Sequence, residues 1–374
     1  MTKVDVCIRG EGVVGLALAL ALARQGLQVG LVGAPAAAGP AASAAPDLRA
    51  YALNAASRQL LTQLRVWDAL PADAVTAVED MQIQGDAPAG RLSFSAWQQG
   101  TEALAWIVDA AELDRALATA GRFAPHLQRL AEGAVQAPLT VLAEGKASAS
   151  RAALGVRFER QPYGHTAIAA RLEADQPHLG VARQWFRSPD VLALLPLDRP
   201  APGRGHGLVW SLPEAEAQAL LQADAADFEA ALNDATGGAA GRLRLASARQ
   251  AWPLALGRAD RLCGPGWVLV GDAAHQVHPL AGQGLNLGLG DVAALAGVIA
   301  AREPWRGLGD EVLLRRHVRE RALATASMAW LTDGLLHLFT PRQPALRSLR
   351  NQGMAALDRL APIKRLLTAR AMDA

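Results

Sequence analysis

Val4-Asp5-Val6-Cys7-Ile8, followed by Gly10-Glu11-Gly12-Val13-Val14-Gly15 and an apolar run to Gln25 closed by Gly26, is the stretch whose reading decides the fold. The first five residues predict a buried strand, Val14 to Gln25 a helix, and Gln28 to Val32 a second strand. Strand, glycine turn, helix and strand in that order make a βαβ opening, so the fold class expected is α/β. In the G-x-G-x-x-G pattern, Gly10 permits the tight turn, Gly12 lets the backbone approach a pyrophosphate, and Gly15 lets the helix pack on the strand. Val14 sits within the same turn. Backbone N–H groups and the positive end of the helix dipole would then hold phosphate. The motif predicts dinucleotide binding without separating FAD from NAD.

The chain of 374 residues is 51% hydrophobic, enough to bury a large core in two or three lobes. The 37 basic residues exceed the 35 acidic ones by only two, which argues against nucleic acid as a partner. Lys3, Lys146 and Lys364 are the lysines; arginine carries nearly all the positive charge, as a biased genomic composition would produce. Cys7 and Cys263 lie far apart in apolar runs, as small buried hydrophobes do, and a reducing cytoplasm fits them. Val13 to Ala23 is too short to span a bilayer and follows a strand and a turn instead of a basic leader, so secretion is not expected.

Further along, Ala34 to Pro46 reads as a loop, Ser57 to Leu64 as a helix, Met81 to Val108 as strands of a second, antiparallel sheet, and Ala111 to Thr119 as a helix. Gly155 to Trp252 is again strand-like, interrupted by one helix at about Ala215 to Ala235. Trp267 to Val270 reads as a short strand, Leu285 to Ala301 and Val312 to Phe339 as helices, and Pro344 to Arg370 as a basic helical tail. From Pro341 onward seven arginines and lysines face two aspartates, a pattern that suits a solvated face or, as an amphipathic helix, contact with a membrane surface or a partner.

The second chemical cluster runs from Gly271-Asp272-Ala273-Ala274-His275 through Pro279 to Gly282-Gln283-Gly284-Leu285-Asn286. A strand ends in an acid, a turn follows, and a glycine-rich loop opens a helix. Such an acid can accept hydrogen bonds from a ribityl hydroxyl, and the helix start can stabilise negative charge, as on a reduced flavin. The run from Gly271 to Asp291 closely resembles the FAD-dependent monooxygenases of ubiquinone biosynthesis, within the para-hydroxybenzoate hydroxylase-like group. Arg49 in Asp47-Leu48-Arg49-Ala50-Tyr51 matches that family's arginine near the flavin. His178 to Phe186 and Leu194 to Leu197 resemble its substrate-domain signature, and Arg347 to Gly353 its C-terminal region. The resemblance covers nearly the whole chain.

It implies a Rossmann-like FAD-binding lobe (residues 1–80, 111–154 and 256–310), an inserted β-sheet substrate lobe (81–110 and 155–255) and a helical C-terminal region (311–374). It also implies that Asp272 contacts the ribityl and pyrophosphate region, that Pro279 lies beside the isoalloxazine, and that Gly282, Gly284, Leu285 and Asn286 pack at its pyrimidine edge. His178, Gln184, Phe186 and Pro196 become candidate substrate contacts. The activity implied is hydroxylation of an aromatic ring, with a prenylated phenol as the expected hydrophobic substrate. NAD(P)H would reduce FAD, and O2 would react through a flavin C4a-hydroperoxide. A cytoplasmic protein, at the inner face of a membrane or in a multi-enzyme complex, would suit such a substrate. No catalytic base is assigned; proton loss through His178 or through a water chain are both open.

Three departures stand against the resemblance. The second strand ends in Gly33 where an acid usually binds the adenosine ribose, and no acid occurs between Glu11 and Asp47. Losing one charge-assisted hydrogen bond costs about 1.5–3 kcal/mol, or roughly 10- to 100-fold in FAD affinity unless something compensates. In the middle motif Glu144 stands for Asp before Gly145, Ser148, Ser150 and Arg151, and its extra methylene is expected to disturb a positioned contact. Arg122 to Leu142 is short, so one or two strands are expected to be missing. These features motivate two rivals: a non-catalytic accessory subunit of a quinone-biosynthesis complex, and a flavin hydroxylase of an unrelated aromatic. Trp106, Trp185, Phe186, Trp210 and Trp252 could line a substrate pocket, with core packing the commoner role. His275 and His278 have a spacing open to metal, but no third ligand accompanies them and no metal is expected.

Overall fold

Largely apolar runs form the inner strands of the parallel sheet, because strands covered on both faces need no solvent-facing side chain. The computed structural model describes residues 2–33, 47–86, 90–133, 135–276 and 283–339, with side chains described as far as 327 in the last segment and not at 283. Its six-stranded sheet runs in the order Cys263–Gly264, Trp267–Leu269, Leu139–Leu142, Val6–Arg9, Val29–Val32, Leu127–Leu130. All neighbours are parallel except the first pair. The helix Val13–Ala23 is apolar on every side and buries Leu16, Leu18, Leu20 and Leu22 together. It can do so because it is enclosed by the sheet and by the helices Ala110–Phe123 and Gln283–Ala300.

The larger sheet takes the order His275–Gln276, Gln250–Ala259, Phe158–Ala174, Gly205–Pro213, Asp190–Pro196, Val181–Arg187, Asp80–Gln84, Arg91–Ser95. It is antiparallel apart from the parallel pairing of Val181–Arg187 with Asp80–Gln84. Alternation gives each strand two faces. One face, with Ile168, Leu172, Leu194, Leu208 and Trp210, packs against Phe228 and Leu232 of an overlying helix. The other face meets Ala52, Leu104 and Ile107.

Several elements differ from the sequence expectation. Ala105–Asp109 does not join the large sheet; it is the middle strand of a separate three-stranded sheet, between Ala50–Leu53 and Val75–Val78. The single helix expected over Ala215 to Ala235 is two, Glu214–Gln222 and Ala225–Thr236. The break falls at Asp224, whose side chain accepts from the Asp227 N–H and caps the second helix. Between Leu130 and Leu139 the only described strand is Val135–Gln136, which pairs with Thr2–Lys3. The loop from Ala34 to Pro46, Pro279, Gly282, His278 and the tail beyond Phe339 lie outside the described residues. Among the described residues no helix is long and apolar enough to cross a membrane.

Candidate functional site

The glycine turn shows a distinct physical demand at each of its three positions. Gly10 has φ +118°, and a Cβ there would stand 2.2 Å from the Ala143 carbonyl oxygen. A Cβ on Gly15 would stand 2.0 Å from the Gly10 carbonyl oxygen, so helix and turn touch backbone to backbone. A Cβ on Gly12 would meet nothing within 4 Å among the described residues. Gly12 is also the helix N-cap, with no side-chain cap, so the first N–H groups of Val13–Ala23 face open space. That is a fit for a pyrophosphate: an uncapped helix start behind a residue with no side chain in the way.

Val14 joins the two glycine-rich regions. Its methyls lie 3.3 Å from where Gly271 would carry a Cβ and 2.7 Å from where Gly288 would carry one. Gly271, at φ +61°, turns the chain into the short 3-10 helix Gly271–Ala273, which carries Asp272. Burial raises the Asp272 carboxyl above its ordinary range, opposed by Lys146, His275 and Arg49. A ligand hydroxyl donating to that carboxylate would relieve part of the cost of burying it.

The turn is braced from two sides. Asp291, on the helix Gln283–Ala300, is fully buried and accepts from the Gly271 N–H at 2.9 Å, from His275 Nε2 at 2.8 Å and from Arg321 Nε at 2.9 Å. Burial opposes charge on both acid and imidazole, yet their proximity holds the Asp291 carboxyl below its usual range and lifts His275 above its own. On the other side Arg151 donates to the Ala273 carbonyl at 2.8 Å and to the Lys146 carbonyl at 3.1 Å, with its guanidinium 3.8 Å from the Phe158 ring centre. Glu144 accepts from Ser148 Oγ at 2.6 Å, from the Ser150 N–H and Oγ at 3.1 and 2.7 Å, and from Arg9 Nε at 3.1 Å. The longer acid is therefore engaged by protein donors arranged around it.

Leu285 and Asn286 begin the helix beyond the turn. Asn286 is buried, but its amide turns toward protein: Oδ1 accepts from the Asn54 N–H and the Ser57 hydroxyl, and Nδ2 donates to the Ala52 carbonyl. It clamps the helix start to the strand Ala50–Leu53. Arg49, just before that strand, is half-exposed, paired with Asp47 through Nε at 2.9 Å, and 5.4 Å from the Tyr51 ring centre. Its carbonyl accepts from Arg171 Nη2 at 2.9 Å, and the same nitrogen reaches Asp109 Oδ2 at 2.9 Å. Neither Arg171 nor Asp291 was anticipated. The available signal was, for Asp291, a lone charge in an otherwise apolar helix and, for Arg171, a charge within the apolar run Ala167 to Leu172.

The four candidate substrate contacts fall on opposite faces of the large sheet. The registers place Ile83, Gln184, Ala193, Val209, Ala169 and Gln250 in one row across six strands. Gln250 accepts from the Leu48 N–H, beside Arg49. Arg171, Gly207 and Leu195 lie in the next row of that face, and a Cβ on Gly207 would come 3.0 Å from the Ala50 Cβ. Phe186 shares the face, packed with Leu92 and Val191, as does the half-buried Trp252. Pro196 pairs with His206 on the helix-covered face. His178 stacks edge-on against His206, 5.8 Å between ring centres, with Nε2 toward Asp198 at 3.3 Å and Nδ1 accepting from the Gly180 N–H at 3.1 Å. Trp185 and Trp210 are core on that side, and Trp106 is core elsewhere, edge-on to Trp67.

A sequence-family model described as an FAD binding domain matches residues 98–330. Ubiquinone hydroxylase UbiL of Rhodospirillum rubrum is 32% identical over 391 residues, covering 98% of this chain and 89% of its own. The chain belongs to the FAD-dependent monooxygenases of ubiquinone biosynthesis. The 3-demethoxyubiquinol 3-hydroxylase of Escherichia coli is 29% identical, with 96% of each chain covered. Among solved structures, PqsL of Pseudomonas aeruginosa, in complex with 2-aminobenzoylacetate, superposes with a TM-score of 0.76 at 21% identity, covering 94% of this chain and 99% of that one. That likeness supports the fold. For this flavin monooxygenase FAD is the cofactor, and the open helix start at Gly12 fits its pyrophosphate.

Proposed function

We propose that this monooxygenase hydroxylates the ring of a prenylated phenol or quinol in ubiquinone biosynthesis, as the names of its relatives describe for those proteins. The observation that supports a flat, apolar substrate is the row Gln184, Ala193, Val209, Ala169. Ala193 and Val209 lie on central strands, where side chains are normally covered, yet both are only half-buried. Small side chains there leave room for a ring between the sheet and the strand Ala50–Leu53, with Gln184 at one end to orient a ring oxygen.

Bound FAD supplies the redox chemistry, accepting a hydride from NAD(P)H and activating O2. The chain's own work is positional. Gly12 and the helix start would hold phosphate, Asp272 would accept from the ribityl chain, and the helix start at Gly284 and Leu285 would stabilise negative charge on the flavin ring. Pro279 and Gly282 complete this reading by their place in the motif. Arg171 fixes the carbonyl of Arg49 and so sets where that guanidinium can reach. Gln184 and Phe186 remain the proposed substrate contacts. His178 and Pro196 do not, since they share the face with the helix-covered core. A proton leaving the substrate then has no route through His178, and a water chain past Gln184 and Gln250 is the route proposed.

The accessory-subunit reading loses one motive, because Glu144 is fully engaged. Contact with a membrane face or a multi-enzyme complex is proposed through the basic residues beyond Pro341, on their charge alone. The test is purified holoenzyme given NAD(P)H, O2 and a prenylated phenol, with product followed by mass. A gain of one oxygen atom coupled to donor oxidation supports the proposal. Donor oxidation that no phenol stimulates, together with normal quinone levels in a deletion strain, refutes it.

A further inference from the structure

The strand Val29–Val32 ends at Gly33, the position from which an acidic side chain ordinarily reaches the adenosine ribose. A Cβ built on Gly33 would have one described neighbour within 4 Å, the carboxyl carbon of Glu11 at 3.9 Å. Glu11 sits between the first two glycines of the phosphate turn, so its side chain crosses from the turn to the strand end. It occupies the space into which a longer side chain at 33 would extend. The Glu11 side chain is 40% exposed, and among the described residues its ion-pair partner is Arg129, whose Nε lies 3.6 Å from Oε1. That distance allows attraction but is beyond a hydrogen bond, so the lone pairs of the carboxylate are left for a ligand.

We propose that Glu11 replaces the missing strand-end acid and accepts hydrogen bonds from the 2′ and 3′ hydroxyls of the adenosine ribose of FAD. Arg129 is a positioning residue: its attraction for Oε1 draws the carboxylate toward the strand Leu127–Leu130 and keeps the Glu11 side chain alongside Gly33. The turn thus carries both functions that are usually divided between it and the next strand, phosphate binding through backbone at Gly12 and ribose binding through the side chain at Glu11. A weak adenosine end is then no longer expected.

The test is titration of the deflavinated full chain with FAD, and with the FAD analogue lacking the adenosine 2′-hydroxyl, followed by flavin fluorescence. Glu11→Ala is expected to weaken FAD by roughly 10- to 100-fold. The wild type should prefer FAD over the deoxy analogue, and the variant should bind the two alike. Glu11→Ala combined with Gly33→Glu should recover affinity and preference, which a merely structural role for Glu11 would not produce. A Glu11→Ala protein that binds FAD within twofold of wild type, or that keeps the preference for the 2′-hydroxyl, overturns the proposal. Far-ultraviolet dichroism of each variant separates loss of binding from loss of fold. If the wild type itself does not bind FAD, the cofactor assignment fails before this inference is reached.

Discussion

Asp291→Asn removes one charge from the most deeply buried ion cluster near the flavin turn. The asparagine oxygen can still accept the Gly271 N–H, so the backbone contact survives in kind. His275 and Arg321 both lose their counter-charge inside the protein. Leaving a buried partner uncompensated costs about 3–5 kcal/mol, a large part of a total stability of about 5–15 kcal/mol. With a urea dependence of about 3 kcal/mol/M or more for a chain this long, the unfolding midpoint should fall by roughly 1 M. The pH profile carries a sign. His275 is lifted above its ordinary 6.5, so its contribution is complete below pH 6.5 and is lost as pH climbs through the raised value. Asp291 is depressed below 3.8, so its share is present above pH 3.8 and is lost as pH falls through the lowered value. The variant should therefore lack the wild type's decline on the alkaline side. Urea unfolding of wild type, Asp291→Asn, Arg321→Met and the double variant gives the coupling directly. A single variant within 1 kcal/mol of wild type, or an Arg321→Met penalty equal with and without Asp291, would refute the reasoning.

Three further outcomes are expected. Burial pushes the imidazole of His206 down to about 3, so the folded chain keeps it neutral while the unfolded chain protonates it below pH 6.5. Stability should then fall by about 2 kcal/mol from this residue alone between pH 8 and pH 5, and urea unfolding of His206→Leu should show that much less acid sensitivity. Ala193→Phe should fill the floor of the proposed substrate space and lower kcat/KM by about tenfold or more through KM, with FAD titrations unchanged; equal KM values would remove Ala193 from the site. Glu144→Asp withdraws the carboxylate from Ser148, Ser150 and Arg9 and should lower stability by about 1–3 kcal/mol, read by thermal or urea unfolding, even though aspartate is the residue more usual in the family.

The opening βαβ unit was legible because its apolar runs are continuous and glycines mark both of its turns. The two glycine clusters could be assigned to one ligand by resemblance. Their contact through Val14 could not be read, since nothing local in Val14 distinguishes it from the other apolar residues of its helix. Ala105–Asp109 was placed in the wrong sheet because strand pairing is decided by partners more than fifty residues away at Ala50–Leu53. The break at Asp224 was hidden in an alanine-rich stretch of strong helix formers, although Asp224 followed three residues later by Asp227 is a capping pattern. Gln184 and His178 looked equivalent within one motif. Strand alternation and the turn at Gly180 separate them, and that requires knowing which face is covered by helices.

The strand order of the parallel sheet has a consequence for biosynthesis. Val6–Arg9 lies beside Leu139–Leu142, and the next neighbour outward is Trp267–Leu269. About 260 residues separate the first of these strands from the last. At roughly 5–20 residues per second, the amino-terminal strand and its apolar helix wait some tens of seconds on the ribosome for their partners. Throughout that interval Val13–Ala23 has no Gln283–Ala300 to pack against, so the nascent chain offers a greasy segment to chaperones until translation is nearly finished.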